Sequence, residues 1–381
     1  MKLVVQIKLL PDAAQAKALL AYMRAFNLAA THAARVGFDA GVFSQPSIHG
    51  RCYYDLRSKF GVSSQTAVRA IGKAVECFSR DKTICPMFAP LGAVTYDHRT
   101  FSFKGIDRVS LLTMGGRILV PYVLGEYQRG KLHHLKGQAD LVYRDGKFFL
   151  YCTADVPEPP VATVTDFVGV DLGIVQIATT DDGTAFSGKA TDTVRKRSAR
   201  ARQTYQRRNT RSARRKLRMM SGRQQRFQKN TNHVLSKQLV AKALHEGKGI
   251  GLEDLTGIRT RTEATVRHTQ RSRHSNWSFH QLRAFIEYKA RLVGVPVIPI
   301  DPRNTSRTCS VCRYCDKRNR KSQSHFECLQ CGYAANADQN GAINIRLKAL
   351  AAYVNSRDSV APSGEHPDSA TSRGASSPGG S

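Results

Sequence analysis

The chain has 381 residues, with 59 Lys and Arg against 29 Asp and Glu, a formal net charge of +30 and a pI near 10.2. With 41% hydrophobic residues it can build two or three packed domains, and its charge points to a polyanionic partner, nucleic acid ahead of a membrane surface or a ribosomal assembly. An apolar run of about 18 residues is missing, so no membrane span is expected; the first eleven residues are too short and interrupted for a signal peptide, and the scattered cysteines fit a reducing cytosol, with the chain nucleoid-associated when on DNA.

Residues 2 to 10 read as a strand ended by Pro11, and residues 12 to 36, rich in alanine with Leu19, Leu20, Met23, Phe26 and Leu28, as a buried helix. Residues 37 to 56 are punctuated by Gly and Pro and read as loop. A second helix is predicted from Ser63 to Ser79, where Val68, Ile71, Val75 and Phe78 share one face.

From Pro86 to Glu158 the period changes to two. Short strands are predicted at Thr100–Phe103, Arg117–Val120, Gln138–Tyr143 and Phe148–Cys152, with turns at Gly115-Gly116 and Asp145-Gly146. Such strands suit a small barrel of a kind that often binds oligonucleotides, with the first strand pairing into it and the helices as an insert. Cys52, Cys77, Cys85 and Cys152 read as buried thiols.

Pro157-Glu-Pro-Pro160 marks a boundary. Beyond it Phe167-Val-Gly-Val-Asp171-Leu-Gly-Ile174 is a nearly all-apolar strand broken by Asp171, followed by strand, tight turn and strand to Phe186. Residues 195 to 229 then carry fifteen cations and no acid: Arg195, Lys196, Arg197, Arg200, Arg202, Arg207, Arg208, Arg211, Arg214, Arg215, Lys216 and Arg218, then Arg223, Arg226 and Lys229. Helices of this charge density repel themselves unless phosphates neutralise them; the bland alternative is a solvated linker.

A helix over 231 to 246 leads to the short apolar strand Ile250-Gly-Leu-Glu253-Asp-Leu255. Residues 257 to 275 read as a polar loop, residues 278 to 293 as a helix with Ser278 and Gln281 at capping-box spacing, and Val295–Ile300 as a strand. A helix over 339 to 354 and a disordered Ser/Gly/Pro-rich tail over 356 to 381 complete the chain.

Two pairs, Cys309-x-x-Cys312 and Cys328-x-x-Cys331, are separated by fifteen residues. Paired thiolates on two tight turns at this spacing suit one structural zinc, with four sulfurs and no open position. A register using Cys315 in place of Cys312 stays open. Seven residues beyond Cys331 comes Asp338, at the start of the last helix. Asp171, Glu253 and Asp338 each have an ordinary reading: a strand or turn feature, strand-end charge, a helix cap. Taken together they form a set of carboxylates able to hold hard divalent cations. Two such ions would activate water and stabilise the leaving oxygen of a phosphodiester.

Val168-Gly-Val-Asp171-Leu-Gly-Ile174, Gly251-Leu-Glu253-Asp-Leu255 and Ala337-Asp338-Gln-Asn340-Gly-Ala-Ile-Asn344-Ile345 resemble the three RuvC-like motifs of the TnpB (OrfB) family, transposon-encoded RNA-guided DNA endonucleases related to type V CRISPR effectors. Asn276-Trp-Ser-Phe-His-Gln-Leu282, Tyr288-Lys289, Thr305-Ser306 and Asn319-Arg-Lys-Ser-Gln323 are also similar to that family. The likeness covers residues 165 to 350; the first 160 match in layout alone. Arg313 and Gly341 depart from it, standing where glycine and alanine are usual.

The resemblance implies a multidomain fold, α/β plus all-β. A RuvC-like domain of RNase H type would span 165–305 and 333–355, with a zinc ribbon inserted at 306–332. A β-barrel wedge domain would span 1–11 and 81–160 and carry a helical recognition lobe at 12–80. Asp171, Glu253 and Asp338 would be the catalytic acids with magnesium; Cys309, Cys312, Cys328 and Cys331 would hold zinc. The arginine-rich segment would contact the phosphates of a guide RNA or its hybrid with a double-stranded DNA target, whose sequence is read by base pairing. A non-cleaving guided repressor and a strand-joining transposase are the rival readings, and all three acids being present favours cleavage.

Overall fold

The structure, a computed structural model, describes residues 1–255, 279–322 and 324–358. The expected loop at 257–275, residues 276–278 with the Ser278 cap, Gln323 and all but 356–358 of the tail lie outside them. The chain divides into two compact units between Pro157 and Glu158.

In the first unit, β1 (Lys2–Leu9) is followed by three helices, α1 (Ala13–Asp39), α2 (Gln45–Phe60) and α3 (Ser64–Phe78). Asp12 caps α1 through a reciprocal box: its carboxylate accepts from the Gln15 amide at 2.8 Å, and Gln15 Oε1 accepts from the Asp12 amide at 3.2 Å. The region read as loop over 37–56 is mostly helix. Gly37 does not end α1, because it lies where Ile48 packs: a Cβ there would come within 2.7 Å of Ile48 Cδ1. Pro46 does not block α2, because it falls in the first turn, where no backbone donor is needed, behind the Ser44 cap.

Strands β2 (Val94–Tyr96), β3 (Phe101–Lys104), β4 (Arg108–Thr113), β5 (Gly116–Val123), β6 (Leu135–Arg144) and β7 (Lys147–Asp155) follow, with the single-turn helix α4 (Glu126–Arg129) between β5 and β6. They join β1 in a seven-stranded sheet of order β2-β6-β7-β1-β5-β4-β3. The first strand thus sits in the middle of the sheet, paired along its length with β7. The two edge strands are consecutive in sequence, separated by residues 97–100 alone. A flat sheet of seven strands would put its edges about 29 Å apart, whereas the link reaches about 17 Å fully extended. The sheet must therefore coil toward a barrel. Asp145 and Gly146, both at positive φ (50° and 75°), make the two-residue turn between β6 and β7. Cys52 and Cys152 are buried as expected; Cys77 and Cys85, also expected to be buried, are partly exposed, Cys77 in the last turn of α3 and Cys85 in the irregular stretch before β2.

The second unit is built on a five-stranded sheet of order β10-β9-β8-β11-β12. Its strands are β8 (Phe167–Leu172), β9 (Gln176–Thr180), β10 (Ala185–Ser187), β11 (Gly249–Glu253) and β12 (Val297–Ile300). β8, β11 and β12 are parallel, while β9 and β10 run antiparallel to their neighbours. Between β10 and β11 come α5 (Lys189–Arg208), α6 (Arg211–Met220) and α7 (Arg223–His245); α8 (Phe279–Arg291) precedes β12, and α9 (Ala337–Asp358) ends the described chain.

Alternation sorts the sheet's two faces. Val168, Val170, Leu172, Ile250 and Leu252 pack with Leu235 and Leu239 of α7 and Leu282 and Ile286 of α8. The intervening residues, Gly169 and Asp171 on β8 and Gly251 and Glu253 on β11, face the other way, toward α9. The glycines let that helix sit almost on the backbone: a Cβ at Gly169 would be 2.0 Å from the Ala342 carbonyl oxygen, and one at Gly251 would be 2.7 Å from Ala349 Cβ. Among the described residues, no helix is long and apolar enough to cross a membrane.

Candidate active site and cysteine cluster

The parallel register pairs Leu252 with Val170, so Glu253 and Asp171 are the next residues of adjacent strands and share the α9 face. Their carboxyls lie close enough to influence each other's ionisation. Asp171 is raised well above the carboxylate range, first by burial, then by the charges of Glu253 and Asp338. Glu253, 6% exposed, rises to about 7, again through burial first; the Thr305 hydroxyl, donating to its Oε1 at 3.0 Å, and the Lys348 ammonium oppose the rise.

Asp338 arrives from α9. Asn336 begins the helix, its Oδ1 accepting from the Asp338 and Gln339 amides at 2.9 and 3.2 Å. One turn on, Gly341 lies against Asp171, where a Cβ would be 3.5 Å from the Asp171 Cγ. Burial raises Asp338, and Arg320 opposes it: the guanidinium Nη2 donates to Asp338 Oδ1 at 3.0 Å. Glu253 is thus buried and Asp171 and Asp338 half-buried, with Asp171 beside Glu253 on the adjacent strand and Asp338 turned to Arg320. Burial keeps Asp171 and Glu253 from ionising freely, and the Arg320 and Lys348 cations offset it only in part; a divalent cation would supply the remaining counter-charge. On that chemistry the residues fit such an ion.

The four sulfurs of Cys309, Cys312, Cys328 and Cys331 all lie within 4.8 Å of one another. The Cys309–Cys331 and Cys312–Cys328 separations are 3.7 and 3.5 Å. Zinc–sulfur bonds of about 2.3 Å in a tetrahedron put sulfurs about 3.8 Å apart, so the set fits a zinc ion. Cys315, exposed on a bridge to Thr308, stands outside the group, which removes the alternative register. The two knuckles turn alike, with Arg313 at φ 68° and Gly332 at φ 72°. Arg313 therefore holds a left-handed conformation that glycine takes without cost.

Several residues with a part in this site were given no role by the sequence. Asn340, Asn344 and Lys348 lie at successive four-residue intervals on one face of α9. Asn340 Nδ2 donates to the Thr308 carbonyl at 2.9 Å, and its Oδ1 accepts from the Ser310 amide at 3.0 Å. Asn344 Nδ2 donates to the Thr305 and Thr308 carbonyls at 2.9 and 2.7 Å, and Lys348 to the Arg303 carbonyl at 2.9 Å. The spacing was the available signal: polar side chains repeating on one helix face that must pack. Arg320 had no such signal, because its partner is eighteen residues away.

The arginine-rich segment forms α5, α6 and the start of α7. Arg195 and Lys196 pair with Asp192, Arg202 with Gln224, Arg214 with Asn209, and Lys216 lies over the Tyr205 ring. Arg197, Arg200, Arg207, Arg208, Arg211, Arg215 and Arg218 are exposed and have no partner among the described residues.

Family comparison agrees with this layout. A family model described as "Probable transposase" (OrfB_IS605) matches residues 150–256, and one described as "Cas12f1-like, TNB domain" matches residues 279–345. Over these residues the chain is similar to the TnpB (OrfB) family and to Cas12f nucleases. A TnpB-like protein of Methanocaldococcus jannaschii is 33% identical over 34% of this chain and 45% of its own length. InsQ of Escherichia coli K12, provisionally named an RNA-guided DNA endonuclease, is 26% identical over 74% of this chain and 72% of its own. The CRISPR-associated endodeoxyribonuclease Cas12f1 of Sulfoacidibacillus thermotolerans is 44% identical over 32% of this chain and 27% of its own. The chain thus spans only about a quarter of the length of the Cas12f relatives it matches.

Proposed function

We propose that this protein is an RNA-guided DNA endonuclease of a transposable element, hydrolysing phosphodiesters at Asp171, Glu253 and Asp338 with divalent metal ions. The observation that carries the reading is the parallel β8–β11 register, which sets Asp171 beside Glu253 under the first turns of α9. The sheet order, three antiparallel strands continued by two parallel ones, supports an RNase H-like domain of RuvC type. The relatives named as TnpB-like, RNA-guided and CRISPR-associated nucleases support the reaction class.

Asp171, Glu253 and Asp338 would hold magnesium, which when bound lowers the pKa of water and neutralises charge on the scissile phosphate. The chain's own residues prepare that site. Glu253 and Asp171 orient oxygen ligands from a rigid sheet. Arg320 keeps Asp338 at the rim and offers a guanidinium to a phosphate that enters. Water would attack phosphorus and give up a proton to solvent, the bridging P–O bond would break, and the leaving oxygen would take a proton from solvent. Zinc on Cys309, Cys312, Cys328 and Cys331 has a structural role in this reading, since four thiolates leave no position for substrate.

The unpartnered arginines of α5 and α6 would lie along the phosphates of a guide RNA or its hybrid with target DNA. The coiled sheet and the three helices of the first unit would act as wedge domain and recognition lobe. The test is direct. The protein is purified with its cellular RNA, that RNA is sequenced, and double-stranded DNA matching it is supplied with magnesium. Cleavage of matched DNA is expected, reduced to background by Asp171→Ala. Absence of a specific RNA defeats guidance, and cutting that survives Asp171→Ala defeats the site. Guided binding without cutting by the unaltered chain selects the repressor reading.

A further inference from the structure

Thr305 lies outside the three acids yet touches one of them. It is 3% exposed, and its hydroxyl lies 3.0 Å from both Glu253 Oε1 and the Pro302 carbonyl oxygen. A hydroxyl has one proton, and Glu253 in the ionised form that would bind a metal is a stronger acceptor than a carbonyl, so in that form the proton goes to Glu253. Glu253 ends its strand, and the backbone there, held onward by the Asp254 amide donating to the Ile300 carbonyl at 2.8 Å, fixes the position of its Cα but not the direction of its side chain. Among the described residues, Thr305 supplies a neutral donor that sets that direction without competing for the cluster as a cation would.

What fixes Thr305 is the cysteine segment. Its carbonyl is held by Asn344, and the same Asn344 amide holds the Thr308 carbonyl, one residue before Cys309. Asn340 grips both sides of Cys309, at the Thr308 carbonyl and the Ser310 amide. The turn from Asn304 to Thr308 is closed by its own bond, Thr308 amide to Asn304 carbonyl at 3.0 Å. One short rigid stretch therefore runs from the first thiolate to the Glu253 carboxyl.

We propose that Thr305 is a positioning residue which orients Glu253 for divalent-metal binding, and that the cysteine cluster, through Asn340 and Asn344, holds Thr305 in place. The proposal deepens the reading of the acids given above and rests on it. The cysteine segment then has a second task beyond folding: it sets the geometry of one acid through Thr305 and of another through Arg320.

The experiment measures Mn²⁺ binding to the full-length, zinc-loaded protein by the loss of the free-ion electron paramagnetic signal. The proteins compared are the unaltered chain, Thr305→Val, Thr305→Ala, Thr305→Ser and Glu253→Gln. Zinc content and thermal midpoint are followed in each. Val keeps the volume, Ala tests whether an effect of Val is steric, and Ser restores the hydroxyl. A partner that orients a metal ligand is worth about 10–100-fold in affinity. Val and Ala are therefore expected to weaken Mn²⁺ binding at least about tenfold at unchanged zinc content, with Ser within about threefold of the unaltered chain. If Glu253→Gln weakens binding and Val and Ala do not, the positioning role is wrong while the metal site stands. Failure of Ser to restore what Val and Ala lose also overturns it, because packing rather than the hydroxyl is then responsible. If the unaltered chain binds no Mn²⁺, or Glu253→Gln binds as well as it does, the underlying reading of the acids falls.

Discussion

At Glu253 the sheet has placed a carboxyl where its charge is poorly tolerated, and the consequence is measurable without any substrate. Burial moves the group from 4.5 to about 7, a difference on the order of 3 kcal/mol. The folded chain keeps a proton there that the unfolded chain has released. Metal-free stability therefore falls as pH rises from about 4.5 through about 7, and Asp171, raised in the same direction, extends the fall upward. Glu253→Gln removes the ionisation. In magnesium-free buffer at pH 8 the variant is expected to be more stable than the unaltered chain by about 1–3 kcal/mol, with the gap closing at pH 5, as read by denaturant melts. Equal stability at both pH values would mean the carboxyl is not strained. Asp171 and Glu253 stood out in the sequence because a charge inside or at the end of an apolar strand is conspicuous. Thr305, Asn340 and Asn344 gave no such signal, because uncharged polar residues reveal a role only when their partners are known; these are a carboxyl 52 residues from Thr305 and backbone carbonyls 32 to 39 residues from the asparagines.

At the scale of elements, the site depends on how closely α9 approaches the sheet. The apolar character of β8 and β11 was readable, with Asp171 and Glu253 as their charged exceptions, but not the register that puts both acids on one face. The helix that covers that face was also expected, though not its distance. Three glycines report that distance and give graded expectations. Gly169→Ala would drive a Cβ to 2.0 Å from a backbone oxygen that cannot yield without moving α9, so a loss of about 3 kcal/mol or more is expected. Gly251→Ala meets a side-chain methyl at 2.7 Å and should cost about 1–3 kcal/mol. Gly341→Ala finds ordinary contact at 3.5 Å and a helical backbone, and should be neutral or stabilising by up to about 1 kcal/mol. Urea melts rank the three, and a Gly169→Ala chain as stable as the original would show that α9 does not sit where the acids need it. The missed helix α2 has the opposite lesson. Pro46 and Gly37 were read as punctuation, but a proline in a first turn and a glycine under a neighbouring isoleucine are compatible with helix, and only packing distinguishes the two uses.

For the whole molecule the controlling quantity is charge. A surplus of 30 positive charges repels itself, and its cost is lowest when phosphates replace small counterions. The strands of the first unit, and the small barrel they suit, were legible by alternation and turn chemistry, yet the strand order was not: that the two edge strands are joined by a link of four residues is a fact of sheet order rather than of local pattern. The cationic segment was fully legible, because fifteen basic residues without an acid need no partner to be seen. What the structure adds is which of them are already engaged. Arg195 and Lys196 are tied to Asp192, whereas Arg197, Arg200, Arg207 and Arg208 point to solvent without partners among the described residues. The two groups should therefore differ in binding. Affinity for an RNA–DNA hybrid of arbitrary sequence, measured from low to moderate salt, is expected to fall along a straight line in log–log form. Each arginine that meets a phosphate contributes about 0.9 to the slope. Replacing Arg197, Arg200, Arg207 and Arg208 by Gln should flatten the slope by about 3–4, whereas replacing Arg195 and Lys196 should change it by less than about 1, because Asp192 already neutralises part of their charge. An equal effect from both sets would mean that this surface acts as a diffuse cloud of charge rather than as a series of phosphate contacts.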